Sequence, residues 1–289
     1  PLVSRRQARV EFTYEMDPPQ EVLKVQDVDI SVGEGTERKT LLPDVSFEVR
    51  RGEKWGIIGD NGIGKSTLLK ILQNKLPHQG KVRWTSNVKI SYFEQESTNL
   101  HPTKSVMQEI HDRVPSWTDL EVRNLLGQVR LTGENVFKPV GVLSGGERAK
   151  VCFAVMMLEH GNVLILDEPA AGLDPRGRER ILGMLQELHR EGGVTIVMVS
   201  HSMDDCARLA TRMIVMSKGE LVLTDTPRNV FRQADLMRSI GLGVPEAAEL
   251  CGRLRAAGLQ LPDDLFTQEE LHDHLLRLWK EKQEKEAAK

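Results

Sequence analysis

The chain has 289 residues, a formal net charge of −3 at pH 7 and 39% apolar side chains. That length allows one or two domains with a buried core, and no apolar run is long enough to cross a bilayer. The small net charge argues against a surface built for nucleic acid, so we expect no DNA partner. Three separated cysteines and no segment that signals export predict a cytoplasmic protein.

Strand-like apolar runs alternate with helical ones along most of the chain, which predicts an α/β fold. Between Gln95 and Leu143 this pattern stops, and two helical patterns at residues 105–113 and 118–130 predict a helical insert. The second pattern begins with a capping box, Thr118-Asp119-Leu120-Glu121. The predicted strands are residues 22–32, 45–49, 55–59, 88–93, 163–167, 194–200, 213–216 and 221–223.

The sequence changes character again after about residue 232. Pro245 is placed to begin a helix that ends at Gly258. A second capping box over residues 267–270 begins another helix, with Leu271, Leu275 and Leu278 on one face. We therefore predict a small helical tail.

The most informative motif is a glycine-rich run between an apolar strand and a helical stretch. Glycines let successive N–H groups face one anion, and the helix adds its positive end. Within this run Lys65 can reach the β and γ phosphates, and the Ser66 hydroxyl can ligate Mg²⁺. The sequence therefore predicts an ATP site at Gly59-Asp60-Asn61-Gly62-Ile63-Gly64-Lys65-Ser66-Thr67.

A second motif is an aliphatic strand that ends in two adjacent acids, Asp167 and Glu168. Alternation along a strand predicts that the two carboxylates point in different directions. Asp167 then suits Mg²⁺, directly or through a water, and Glu168 suits a base that polarises the water attacking the γ-phosphate. A plain helix N-cap is the alternative reading, which the neighbouring phosphate loop disfavours.

A third motif, Leu143-Ser144-Gly145-Gly146-Glu147, opens a helix about eighty residues after the phosphate loop. Exposed N–H groups at a positive helix end predict a second anion site. With the acidic strand at this spacing, the chain resembles the ATP-binding-cassette (ABC) ATPases.

The resemblance covers residues from about 20 to 230 and implies a P-loop (RecA-like) core sheet with an antiparallel β subdomain. It implies a head-to-tail dimer, in which Ser144, Gly145 and Gly146 of one module close over the phosphates held by the other. It also implies that Gln95 senses Mg²⁺ and the water, that Asp174 crosses the dimer interface, and that His201 contacts the γ-phosphate. The implied catalytic set is thus Lys65, Gln95, Glu168 and His201, with Ser66, Gln95 and Asp167 at the metal.

The same resemblance sets the predicted domain limits. We predict an N-terminal basic arm over residues 1–19 and a nucleotide-binding domain over residues 20–235, with its helical subdomain at about 96–160. The helical tail then occupies residues 236–289. ABC proteins commonly stack an aromatic ring on adenine, but the aligned position holds Val32. Because such stacking contributes about 1 to 3 kcal/mol, we expect ATP to bind up to ~100-fold more weakly unless another ring substitutes.

Two branches of the superfamily are represented in two stretches of the chain. From residue 1 to about 165 it is similar to the second cassette of the ABC-F translation factors. From about residue 164 to the end it is similar to the ATPase subunits of energy-coupling-factor transporters, including the tail. The pattern resembles a chimera or an unusual relative. The first likeness rests on residues 9–12 with Tyr14, and on residues 59–62, 90–95 and 121–127; the second rests on residues 167–175, 200–205, 241–245 and 261–270.

The single-cassette length and the tail favour a transporter ATPase, located at the inner face of the cell membrane. Its expected partners are a second cassette and integral membrane subunits. One alternative is a ribosome-associated module, in which Arg5, Arg6 and Arg9 would touch ribosomal RNA. A third class, a non-transport ATPase of DNA repair or cofactor assembly, has no motif of its own in the sequence.

Overall fold

A computed structural model describes residues 17–33, 39–93 and 100–287 of the chain. The Arg5, Arg6 and Arg9 arm and Gln95 lie outside these residues.

The strands are β1 (Glu21–Val32), β2 (Lys39–Arg50), β3 (Lys54–Gly59), β4 (Gln79–Trp84), β5 (Ile90–Phe93), β6 (Val163–Asp167), β7 (Thr195–Val199), β8 (Arg212–Ser217) and β9 (Glu220–Asp225). The helices are α1 (Lys65–Leu72), α2 (Val106–His111), α3 (Asp119–Gln128), α4 (Gly145–Leu158), α5 (Pro175–Gly192), α6 (Met203–Leu209), α7 (Pro227–Arg232), α8 (Ala234–Ser239), α9 (Glu246–Ala256) and α10 (Gln268–Ala287).

The strands form two sheets. The larger has the order β5-β6-β7-β3-β8-β9 and is parallel except for β9, which pairs antiparallel with β8. The smaller has the order β2-β1-β4 and is antiparallel. The predicted α/β fold with an antiparallel subdomain is confirmed.

Side-chain alternation places the larger sheet between two cores. Leu164 and Leu166 pack in the cluster that contains α5 and the helical insert. Val163 and Ile165, their neighbours along β6, pack in the cluster formed with α1 and the smaller sheet. A strand buried on both faces must be apolar at every position, which is why β6 reads as one aliphatic run.

The helical insert is built from α2 and α3, and each begins with a complete capping box. Ser105 pairs with Gln108 at α2, and Thr118 pairs with Glu121 at α3. These caps satisfy N–H groups at the first turn of each helix, so both starts are fixed locally. The capping box predicted at Thr118 is present.

The tail packs as a satellite cluster and is anchored to the sheet domain. Cys251 of α9 and Leu271 of α10 are buried together, with Leu275 and Leu278 packed against them. The side-chain Oδ1 of Asp204 accepts a hydrogen bond from the Glu246 N–H at the first turn of α9, 3.1 Å away. The tail therefore closes onto α6.

Strand β4 was not predicted from the sequence. Its pattern, Gln-Gly-Lys-Val-Arg-Trp, contains only two apolar residues, Val82 and Trp84, because it is an edge strand with one face against the core. Among the helices of the described residues, none is long and apolar enough to span a membrane.

Candidate functional site

The glycine-rich run forms the turn from β3 into α1, as predicted. Gly64 lies directly before α1 with φ of 106°, in the region that disfavours side chains. A Cβ on Gly64 would lie 2.8 Å from Cγ2 of Ile30, and a Cβ on Gly59 would lie 2.3 Å from the carbonyl oxygen of Met216. Both positions need glycine, so the neighbouring strands shape the loop.

Lys65 is folded back onto this loop. Its Nζ donates hydrogen bonds to the carbonyl oxygens of Gly59 and Asp60, at 2.8 and 2.9 Å, and the side chain is buried. Burial lowers the pKa of Lys65, while the carboxylates of Glu168, Asp167 and Asp60 act in the opposite direction. The carboxylates favour the charged form of Lys65, and a charged ammonium group is the cation that binds a triphosphate.

Two oxygen donors of the predicted metal set meet between the loop and β6. Ser66 Oγ donates to Asp167 Oδ1 at 3.1 Å, and Asp167 is 7% exposed. Mg²⁺ is usually held by one or two protein oxygens together with phosphates and waters. The donor chemistry therefore fits Mg²⁺.

Glu168 lies beyond the end of β6, in a left-handed conformation with φ of 47°. Its direction is thus set by the turn after the strand and not by strand alternation; that the two carboxylates point in different directions stays a prediction. The Glu168 N–H donates to the Val199 carbonyl at 3.1 Å, which ties the turn to the end of β7. Nε2 of His201, just past β7, lies 2.5 Å from Oε1 of Glu168.

A non-glycine residue with positive φ is strained by about 1 to 3 kcal/mol and persists where surrounding contacts hold it. Here the bond to Val199 and a bond from the Ala171 N–H to the Glu168 carbonyl hold the turn. The carboxylate is therefore presented at the end of the parallel strands, where open α/β sheets bind their ligands.

The signature loop begins α4. Ser144 is the N-cap, and it forms a capping box with Glu147. The backbone N–H bond holds the Glu147 carboxylate in its ionised form and lowers its pKa. A cavity of about 360 Å³ opens here. Its lining residues are Ser144, Gly145, Gly146, Glu147, Lys150, Gly172, Asp174, Gly177, Arg180 and Ile181.

Asp174 lies in the same cavity and caps α5. Its Oδ1 accepts a hydrogen bond from the Gly177 N–H at 2.7 Å, and Pro175 occupies the first helical position. A Cβ on Gly177 would lie 2.6 Å from that oxygen, so glycine permits the tight cap. The structure thus joins Asp174 to the signature residues in one cavity.

The predicted site residues form two separate groups in one chain. In the first group Ser66 contacts Asp167, Glu168 contacts His201, and both carboxylates act electrostatically on Lys65. The signature cavity forms the second group and is lined by no phosphate-loop residue. Gln95 lies outside the described residues, so its predicted place at the metal stays a prediction.

Three residues at these sites were missed by the sequence analysis. Ser217 Oγ donates to Asp60 Oδ2 at 3.4 Å, and no motif marks it because the contact spans 157 positions. Lys150 and Arg180 bring positive charge to the signature cavity. Lys150 follows Gly146 by one helical turn, and that spacing could have identified it.

Known proteins with similar sequences contain the same kind of cassette. A family model described as "ABC transporter" matches residues 42–171. An energy-coupling factor transporter ATP-binding protein, EcfA2 of Caldanaerobacter subterraneus subsp. tengcongensis, is 34% identical over 284 residues, covering 88% of this chain and 96% of the relative. The chain belongs to the ATP-binding-cassette family. As a cassette of this family it binds ATP and hydrolyses it.

Solved structures agree with the assignment. The cassette is similar to cbiO1 of Clostridium perfringens, part of the ABC transporter complex cbiONQ, with a TM-score of 0.62 and 26% identity over 76% of this chain and 94% of that one. It is equally similar, with a TM-score of 0.62 and 25% identity, to the dimeric cassette MJ0796 bound to ADP and Pi. That match covers 71% of this chain and 99% of MJ0796.

Another relative is much longer than this chain. The ATP-binding protein YdiF of Bacillus subtilis is 39% identical over 222 residues, which make up 76% of this chain and 34% of YdiF. None of the relatives described here is named as a translation factor, and the EcfA2 alignment crosses both halves of the chain. The predicted ABC-F likeness, the chimera hypothesis and the ribosomal alternative therefore gain no support.

Proposed function

We propose that this cassette is the ATP-hydrolysing subunit of a membrane transporter of energy-coupling-factor type. The observation that carries the proposal is the alignment with EcfA2 over 96% of that relative's length, which extends through the cassette and into the tail. Fold alone would support any ABC ATPase, because cassettes of one fold serve many partners.

In the proposed reaction, the phosphate loop and Lys65 bind the triphosphate, and Ser66, Asp167 and Gln95 would hold Mg²⁺. When bound, that ion would supply positive charge to neutralise the transferring phosphoryl group. Glu168 polarises the attacking water, and His201 contacts the γ-phosphate. The 2.5 Å contact between the two side chains supports this assignment. It places the Glu168 carboxylate and the His201 ring nitrogen together, close enough to Lys65 to act on it electrostatically.

The proposed active unit is a head-to-tail dimer. Its support is the separation of the phosphate loop from the signature cavity within one chain, together with the dimeric neighbour MJ0796. Lys150 and Arg180 add cations beside Ser144 and Gly146, where the partner's γ-phosphate would arrive. In this arrangement, a lone cassette has little activity.

The helical insert is the proposed binding site of the membrane partner. A cleft of about 210 Å³ opens there, lined by apolar Trp117, Leu125 and Met157. Gln128 also lines it, and its Oε1 is buried with no hydrogen-bond partner within the described part of the chain. Glu159, beside this cleft, accepts a backbone hydrogen bond from Tyr92 of β5. A protein segment with an apolar residue and a donor group would fill the cleft and satisfy Gln128.

The test uses the Glu168→Gln cassette with ATP as bait for detergent-solubilised membranes and for ribosomes from the source cells. The Lys65→Ala cassette, which should bind ATP more weakly, is the matched control at an ATP concentration that saturates only the first bait. Enrichment of integral membrane subunits by the first bait over the second is the expected result. Recovery of ribosomal proteins in their place would overturn the transporter assignment while leaving the ATPase assignment intact.

A further inference from the structure

The first turn of α5 is joined to the loop that carries His201. Arg178, four residues after Asp174, donates from Nε and Nη2 to Oδ1 of Asp205, at 3.0 and 2.8 Å. Asp205 lies in the first turn of α6 and is only 5% exposed. The Arg178 guanidinium therefore binds the buried carboxylate of Asp205, which lies four residues after His201.

This ion pair also fixes both neighbours of His201. Arg178 donates to Oγ of Ser202, and the Asp205 N–H donates to the same oxygen at 3.1 Å. Ser200 Oγ donates to Oδ2 of Asp205 at 3.5 Å, and the Ser202 N–H donates to Ser200 Oγ at 3.1 Å. The residues on either side of the histidine are thus tied to one buried carboxylate.

We propose that Arg178 and Asp205 are positioning residues that hold His201 at the reaction centre and link its place to that of Asp174 at the dimer interface. This inference rests on the proposed roles of His201 and Asp174. Asp174 caps α5 and Arg178 follows one turn later, so a shift of this helix end moves both. Closure of the dimer then sets the histidine for hydrolysis.

Stability alone does not account for the pair. Only the carboxylate of this pair is buried, since the Arg178 side chain is 38% exposed, and desolvation of a buried charge offsets its attraction to the partner. Here burial raises the pKa of Asp205 in spite of its bonds to Arg178, so the ionised carboxylate is not favoured by its site. A positioning role explains why the charges are there.

The chain contains a matched control for this pair. Glu179 and Arg208 form a second ion pair between α5 and α6, with N–O distances of 2.8 and 2.7 Å. The Glu179 side chain is 62% exposed, and this pair contacts neither Ser200 nor Ser202 through the hydrogen bonds found in the described residues. It joins the same helices and lines the cavity that His201 and Ser202 also line, but its hydrogen bonds join only Glu179 and Arg208 to each other.

The experiment measures steady-state ATP hydrolysis by the assembled dimer. We expect Asp205→Ala and Arg178→Met to lower kcat about 10- to 100-fold with a smaller change in KM, since a displacement near 1 Å has that effect on positioned groups. Glu179→Gln and Arg208→Met should stay within about twofold of the unmodified protein, because the carboxylate of this pair is exposed and such pairs contribute little. Asp205→Asn keeps an acceptor oxygen for Arg178 and should recover most of the rate.

A His201→Ala background separates positioning from a general structural role. There, Asp205→Ala should lower the rate no further, while any effect on the unfolding temperature persists. A further loss of rate from Asp205→Ala in the His201→Ala background would overturn the inference. So would equal losses of kcat in variants of the Arg178–Asp205 pair and of the Glu179–Arg208 pair. The His201 ring resonances provide a readout that does not depend on activity: Asp205→Ala should shift or broaden them, and Arg208→Met should not. Unchanged ring resonances in Asp205→Ala would refute the positioning role.

If His201→Ala keeps full turnover, the proposed role of His201 fails. In that event the ring resonances still decide whether Arg178 and Asp205 hold the histidine in place.

Discussion

Nε2 of His201 and Oε1 of Glu168 lie 2.5 Å apart, in direct contact. The contact joins the end of β7 to the turn after β6, two elements that are neighbours only in the folded sheet. Each side chain thus limits the other's position. A water that replaces this contact would be close to both an acceptor and a ring nitrogen.

Replacing Glu168 with Gln should stop turnover while ATP remains bound. The amide keeps the size of the side chain but removes the base, and loss of a general base lowers rates by about 10²- to 10⁴-fold. Single-turnover hydrolysis and retention of labelled ATP measure the two effects separately. Glu179→Gln makes the same chemical change on α5 and should leave the rate unchanged. Normal hydrolysis by Glu168→Gln would assign the water to another residue.

Lys65→Ala should remove tight ATP binding, since it deletes the buried cation of the phosphate loop. A hydrogen bond to a charged group contributes about 1.5 to 3 kcal/mol, so affinity should fall about 10- to 150-fold. Titration with a non-hydrolysable ATP analogue measures this. Lys70→Ala on the exposed side of α1 is the control and should bind normally. Equal affinities of the two variants would refute the phosphate-loop assignment.

Gly64→Ala should destabilise the fold and weaken ATP binding together. The positive φ costs about 1 to 2 kcal/mol for a side chain, and the new Cβ would also meet Ile30 at 2.8 Å. Gly183→Ala, in the middle of α5 with open space around it, should instead stabilise by about 0.5 to 1 kcal/mol. Chemical denaturation of both proteins tests the pair. A neutral Gly64→Ala would mean that the loop tolerates a side chain.

Val32→Tyr should strengthen ATP binding. Val32 is 39% exposed near the phosphate loop, where its neighbour Ile30 approaches Gly64. Base stacking on an added ring contributes about 1 to 3 kcal/mol, which corresponds to a gain of about 5- to 150-fold. Val32→Leu adds bulk without a ring and should bind as the unmodified protein does. Equal gains from both variants would show that apolar area, not stacking, is responsible.

The stability of the protein should depend on pH through Asp205. Its pKa is raised by burial against the opposing effect of Arg178, with Asp204 adding to the rise. A carboxyl with a higher pKa in the folded state contributes stability below its unfolded pKa of about 3.9, and that contribution is lost as the pH rises through the folded value. The Asp205→Asn protein lacks this titration.

Denaturant titrations from pH 4 to pH 7 test this expectation. The free energy of unfolding of Asp205→Asn, relative to the unmodified protein, should increase upward from about pH 4 and then level off. A relative free energy that decreases with rising pH would mean that Arg178 dominates and holds the pKa of Asp205 below its usual range.

The sequence was most informative where one short segment determines its own geometry. The glycine-rich turn before α1 and the capping box at Thr118 need only neighbouring residues, and both are present as predicted. The central strands were predictable because burial on both faces leaves continuous aliphatic runs. Edge strand β4 was missed, since its polar face gives the segment no such run.

The site was predictable only in part, for the same reason. Motifs identified Lys65, Asp167, Glu168 and His201, but the turn that places Glu168 depends on a hydrogen bond to Val199 in another strand. Likewise, the contact of Ser217 with Asp60 and that of Arg178 with Asp205 join residues distant along the chain. Such contacts leave no periodic pattern in the sequence.

The bond from the Glu246 N–H to Asp204 makes the tail and the sheet domain structurally interdependent. Asp204 belongs to α6, next to Asp205, so the first turn of α9 is completed by the helix that follows the histidine. A tail transplanted onto another cassette would lose this bond unless an acid is present at the same place in α6, although the bonds from Arg228 to Asp264 and Glu270 also hold the tail. A graft without Asp204 leaves the Glu246 N–H at the start of α9 without this acceptor. When tails are exchanged between two cassettes, we expect the docked tail to be more stable in the cassette that has an acid at this position.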